Sequence, residues 1–133
     1  MDLNPNPAAA AATQRPILIV EDALDIRETL RELLELDELP VFTAANGQLG
    51  LEQLARIPLP CLVLLDLMMP VMDGFQFLQA LDQFPRYASL RVVLISANRN
   101  IDVAMRNPRV VAGLKKPFEL NELMELVATH CAC

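Results

Sequence analysis

The unbroken apolar run Cys61–Leu65, followed directly by Asp66 and then by a turn-rich stretch ending at Gly74, constrains this chain more than any other segment. Apolar residues at consecutive positions, rather than alternate ones, describe a strand buried on both faces. Such strands belong to sheets covered by helices on each side. Asp66 closes the run, and a carboxylate at the end of a buried strand is costly unless it has partners or a task. In open α/β sheets, ligands bind at the carboxyl ends of the strands. Asp66 is therefore a candidate functional residue. Pro70 and Asp73-Gly74 turn the chain after it.

The rest of the chain alternates in the same way. Ile17–Val20 reads as a first strand ending at Glu21-Asp22. Ile26, Leu30, Leu33 and Leu34 then share one helix face. Pro40–Ala44 is a second strand. Asn46-Gly47 marks a turn, and Leu51 and Leu54 line the next helix. Phe75, Leu78 and Leu81 follow the third strand as a third helix. Val92–Ile95 is a fourth strand. Ile101–Arg106 has room for about one and a half turns of helix before Pro108 stops it. Val110–Leu114 is a fifth strand, and Leu120, Leu123, Met124 and Val127 define a last helix. Five strands alternating with helices mean a parallel sheet with helices on both faces.

The 133 residues suffice for one domain and one core. Hydrophobic residues make up 53% and charged residues 21%, a globular rather than a disordered balance. The net charge of -6 comes without a Lys/Arg cluster, which argues against direct nucleic-acid binding. No apolar stretch is long enough to span a membrane, and the Asn-, Pro- and Ala-rich start lacks the basic region of a secretory signal. A cytoplasmic protein is expected, with residues 1–15 as a flexible leader. Cys61 is expected to be a buried thiol. Cys131 and Cys133 close the chain as a Cys-Ala-Cys tail, read as a frayed terminus rather than a metal or redox pair, since no further ligand cluster is present. His130, the only histidine, reads as a solvated residue at a helix end.

A parallel sheet brings the carboxyl ends of all its strands to one edge. Glu21-Asp22, Asp66, Ser96 and Lys116 fall at the ends of the first, third, fourth and fifth strands. Each alone has a plain reading: Glu21 and Asp22 as helix caps, Asp66 as a strand-end cap, Ser96 as a turn residue, Lys115-Lys116 as a solvated pair. Together they gather three carboxylates, a hydroxyl and an ammonium. Three carboxylates need a counter-charge, and a hard divalent cation with oxygen ligands supplies one. A carboxylate can also act as a nucleophile, so the set can hold a phosphoryl group on Asp66, with metal and Lys116 offsetting its charge.

With these residues in place, the chain resembles the response-regulator receiver domain of two-component signalling. The resemblance rests on Ile17–Asp22, Asp66–Gly74, Ser96-Ala97 and Lys116-Pro117-Phe118, and covers roughly residues 16 to 129, leaving 130–133 as a tail. It implies a flavodoxin-like, doubly wound five-stranded sheet in the order 2-1-3-4-5. It implies Asp66 as phosphoacceptor, and Mg²⁺ or Mn²⁺ held by Asp22, Asp66 and the Met68 carbonyl, with Glu21 acting through water. Ser96 and Lys116 would contact the phosphoryl group, Ala97 would leave room for it, and the Lys116-Pro117 bond would be cis. The implied partner is a sensor histidine kinase or phosphotransfer protein, and the domain would signal through a changed binding surface rather than serve as a metabolic enzyme.

Two departures stand out. Gly113 occupies a position that in the family usually carries Tyr or Phe, and the segment from Ser96 to Lys116 is short. The usual aromatic route from phosphorylation to output is therefore missing. The expectation is a stand-alone receiver with no effector domain after the last helix. Two rivals remain: a phosphorylation-independent pseudo-receiver, against which the acidic pair, Asp66 and Lys116 all argue, and an aspartate-nucleophile phosphatase. The latter class carries a general acid two residues after the nucleophile, where this chain has Met68.

Overall fold

A computed structural model describes residues 15–97 and 100–131. Within them, strands and helices alternate: β1 Ile17–Val20, α1 Leu24–Leu36, β2 Val41–Ala44, α2 Gly47–Arg56, β3 Leu62–Leu65, α3 Gly74–Leu81, β4 Val92–Ser96, α4 Ile101–Ala104, β5 Val110–Lys115 and α5 Leu120–His130. The five strands form one parallel sheet in the order β2-β1-β3-β4-β5. The leader, apart from Arg15, lies outside the described residues, as does Cys133.

The sheet is doubly wound because β1, β3 and Val92–Ile95 of β4 are apolar and buried at every position, so each face carries a row of alternate residues that must be covered. Leu18, Val20, Val63, Leu65 and Leu94 point to one face, where Leu54 of α2 and Phe77, Leu78 and Leu81 of α3 cover them. Ile17, Ile19, Leu62, Leu64, Val93 and Ile95 point to the other, under Leu30 and Leu34 of α1 and Leu123 and Val127 of α5.

Several boundaries differ from the sequence expectations. β2 starts at Val41, and the carbonyl of Pro40 accepts from Ile17 N–H. β4 and β5 each run one residue further than expected, to Ser96 and Lys115. α4 ends at Ala104, after which bonds to the third residue back carry the chain through Arg106 and Asn107. A 3-10 turn, Pro85–Tyr87, was not foreseen. It buries Tyr87, whose carbonyl accepts from Arg109 Nε at 2.8 Å. Arg109 also donates to the Leu81 carbonyl at 3.3 Å and pairs with Asp82, so one buried guanidinium fastens the end of α3 to the start of β5.

The expectations for Cys61 and Cys131 fail. Cys61 is neither a free thiol nor fully buried: it forms a disulfide with Cys131, 70 residues away, with Cα atoms 5.4 Å apart. Cys131 is correspondingly tied down rather than frayed. The cause is helix direction. α5 packs antiparallel to the strands, so its last turn returns to the edge of the sheet where β3 begins. His130 is half-buried there, its carbonyl accepting from Arg91 Nη1 at 3.2 Å.

Candidate functional site

Register determines what meets at the opposite edge. Val20 pairs with Leu65, so Glu21 and Asp66 leave adjacent strands at the same level. Ser96 pairs with Lys115, and Lys116 N–H donates to the Ser96 carbonyl at 3.0 Å. Glu21, Asp22 and Asp66 each bring a carboxylate oxygen within 4.8 Å of the others. Glu21 is fully buried and Asp66 is 3% exposed, while Asp22 faces solvent. Lys116 Nζ lies 2.8 Å from Glu21 Oε1 and 3.4 Å from Asp66 Oδ2. Ser96 is fully buried at the end of β4. Met68 is exposed, and its N–H donates to Asp66 Oδ1 at 3.2 Å. The Lys116-Pro117 bond is cis.

The structure therefore brings Glu21, Asp22, Asp66 and Lys116 together, with Ser96 at the end of the neighbouring strand and the Met68 N–H on Asp66. Its detail differs from the simplest sequence picture, since the lysine contacts Glu21 more closely than Asp66. Nor is the acidic pair a helix cap: Ala23 occupies that position without a side-chain bond, and Glu21 Oε2 accepts from Ala23 N–H at 3.1 Å.

Burial pushes the Glu21 carboxyl up from 4.5 to about 7, helped by the charge of Asp66 and opposed by Lys116 and the Ala23 N–H. Burial also works against the charged form of Lys116, but its bond to Glu21 and the charges of Asp66 and Glu21 outweigh this and hold it above its ordinary value. Among the described residues, the Lys116 ammonium thus meets a cluster of three carboxylates. The charge and hard oxygen donors of this cluster fit a small divalent cation, and Glu21, Asp22 and Asp66 are the carboxylates that lie close enough together to hold one.

Supporting residues escaped sequence reading. Arg27 Nη1 reaches back from α1 to the Glu21 carbonyl at 2.8 Å and the Asp22 carbonyl at 3.4 Å, bracing the acidic loop. Its place on the first turns of the helix after two acids was the available signal. After Asp66, Val71 has φ +69°, a left-handed conformation that a β-branched residue rarely adopts. Asp73 then caps α3 through a reciprocal pair of bonds with Gln76. Gly74 is required by contact: a Cβ there would stand 2.6 Å from the Asp66 carbonyl oxygen and 2.7 Å from Leu67 Cα. At Gly113 a Cβ would stand 2.9 Å from Met105 Sδ and 3.1 Å from Ile101 Cδ1, so two side chains from the α4 region occupy the space above this glycine. Beside Lys116 a cleft of about 500 Å³ opens between α1 and the loop before α5, lined chiefly by Ile26, Leu30, Pro117, Phe118 and Leu120.

Fold and cleft together define a class: flavodoxin-like doubly wound domains with an acidic cleft at the carboxyl edge of the sheet. The family model for the response regulator receiver domain matches residues 17–128, and the chain belongs to that family, the receiver domains of two-component signalling. It is 36% identical over 119 residues to response regulator Rre1 of Synechocystis sp., covering 84% of this chain and 49% of that protein, about half its length. It is 32% identical over 116 residues to sporulation initiation phosphotransferase F of Bacillus subtilis, covering 86% of this chain and 91% of that protein. Among solved structures, a sensor protein from Polaromonas sp. matches with a TM-score of 0.78 at 30% identity, over 88% of this chain and 95% of that one. Response regulator protein TrrA of Thermotoga maritima, in complex with Mg(2+)-BeF, matches with a TM-score of 0.75 at 26% identity, over 86% and 97%. No helix among the described residues is long and apolar enough to cross a membrane.

Proposed function

We propose that this domain, over residues 16–129, accepts a phosphoryl group on Asp66 from a phosphohistidine of a sensor histidine kinase or phosphotransfer protein, in the cytoplasm, and signals through a changed binding surface. The observation that carries the reading is Lys116 Nζ bridging Glu21 and Asp66, 2.8 and 3.4 Å away, inside a cluster of three carboxylates. A carboxylate held by a strand end and a backbone N–H is oriented as a nucleophile. One Asp66 oxygen attacks phosphorus, the phosphorus–nitrogen bond of the donor breaks, and its electron pair stays on the imidazole. The product is an acyl phosphate. Lys116 exchanges its Asp66 contact for a phosphoryl oxygen, and the Ser96 hydroxyl donates to another. Bound Mg²⁺ or Mn²⁺ would offset the charge on the transferring group. The match to TrrA, solved with Mg(2+)-BeF, supports this chemistry. Slow self-phosphorylation and hydrolysis serve signalling here, not metabolic turnover.

Output would run through residues 97 to 110. Movement of Ser96 toward the phosphoryl group draws on Ala97 and the loop into α4, whose Ile101 and the following Met105 rest over Gly113. The test uses a small donor, acetyl phosphate, with Mg²⁺. Intact mass should show one phosphoryl adduct in the parent and none in Asp66→Asn. An adduct that survives this substitution removes Asp66 as acceptor, and no adduct in the parent leaves a phosphorylation-independent binding module. Hydrogen exchange with beryllofluoride should change over residues 97 to 110; changes confined to α1 would refute the output route.

A further inference from the structure

We propose that Cys61 and Cys131 form a reversible thiol–disulfide site that exchanges with a low-molecular-weight disulfide such as oxidised glutathione, and that oxidation pins α5 to the sheet. The two residues meet with Cα atoms 5.4 Å apart, inside the range a disulfide bridges without backbone movement. They stand at the edge of the sheet opposite the acidic cleft. Cys61 immediately precedes β3, whose last residue, Leu65, is followed by Asp66, and Cys131 follows α5, which starts four residues after Lys116. The bond therefore ties together the far ends of the two segments that present the acceptor and the lysine.

Three observations favour exchange over a permanent staple. Both faces of the sheet already have filled cores, so the fold does not need a covalent tie. Both cysteines are partly exposed. A cleft of about 220 Å³, lined by Asp37, Leu39, Val127, Ala128 and Cys131, leads to the Cys131 side. Exchange depends on such access. In the oxidising direction the Cys131 thiolate attacks one sulfur of glutathione disulfide, forming a mixed disulfide and releasing one glutathione thiolate. The Cys61 thiolate then attacks Cys131 Sγ and expels the second. Two protein thiols lose two electrons and two protons, and glutathione disulfide becomes two glutathione molecules. Asp37 places a carboxylate in the cleft, so an uncharged reductant is the better probe for the reverse step.

The test uses the full chain carrying Cys133→Ser, so that Cys61 and Cys131 alone can pair. The protein is equilibrated in glutathione buffers of graded ratio, alkylated, and read by intact mass. Both thiols should disappear together, as one intramolecular disulfide, and dithiothreitol should restore both without unfolding. Hydrogen exchange across residues 120–131 should slow by at least about tenfold in the oxidised form. Glutathione adducts without a cross-link at every ratio would overturn the proposal. So would a bond that dithiothreitol opens only in denaturant, or equal α5 exchange in both forms. No phosphoryl transfer enters these measurements, so their failure is distinct from failure of the Asp66 assignment.

Discussion

Replacing Glu21 by Gln isolates the electrostatic penalty built into the acidic cleft. The side chain is fully buried, and burial raises its carboxyl from 4.5 to about 7. Between those values the folded protein binds a proton that the unfolded chain has released. Stability must therefore fall as pH rises through that window, and the whole penalty is present above about 7. At roughly 1.4 kcal/mol per pH unit, the upper value is roughly 3 kcal/mol. Lys116 is already included in this balance, since it opposes the shift without abolishing it. Gln has the same shape without the titration. Urea unfolding of metal-free parent and Glu21→Gln, compared at pH 4 and pH 8, should show the variant gaining stability relative to the parent at pH 8 by up to that amount, and little at pH 4. Subtracting the two proteins removes the contribution of carboxylates remote from Glu21, and the interaction with Asp66 is part of the difference measured. A difference that stays constant with pH would refute the reasoning, because a group whose ionisation is unaffected by folding contributes no slope.

Further outcomes follow from other contacts. Asp22→Ala should weaken Mg²⁺ binding by at least about tenfold, more than 1.4 kcal/mol, and more than Glu21→Gln does; equal affinity by titration would contradict the assignment of Asp22 as a direct ligand. Arg109→Met should destabilise by about 1–3 kcal/mol in urea unfolding, because it removes the side-chain bonds to the Tyr87 and Leu81 carbonyls and the pair with Asp82, while those carbonyls keep the backbone N–H groups of Leu90 and Phe84. Gly113→Phe should lose about 1–3 kcal/mol by overpacking Met105 and Ile101. Adding Met105→Ala to it should recover much of that loss, and strict additivity in this double-mutant cycle would mean that the Met105 contact plays no part.

Much of the architecture was legible because the sequence repeats one physical pattern. Runs such as Ile17–Val20 and Cys61–Leu65 have no polar face, so they must lie inside a helix-covered sheet. The helical stripes between them supply the covers. Parallel connection then sends every strand end to one edge, which is why Glu21, Asp22, Asp66, Ser96 and Lys116 group together from the sequence alone. Gly113 was legible as a missing side chain, but not what fills its place.

Only the tertiary structure decided which of these groups touch. The register of Val20 on Leu65 sets Glu21 beside Asp66, and Lys116 arrives 95 residues later to lie nearer the first than the second. Arg109 reaches back to carbonyls more than 20 residues away, and Met105 folds over Gly113. Cys61 read as a buried thiol because its neighbours are apolar. Its partner is 70 residues distant and meets it only because α5 runs back against the strands. Periodicity reports the local side of the chain that must avoid water. It carries no record of distances between segments, which follow from how the covered faces pack.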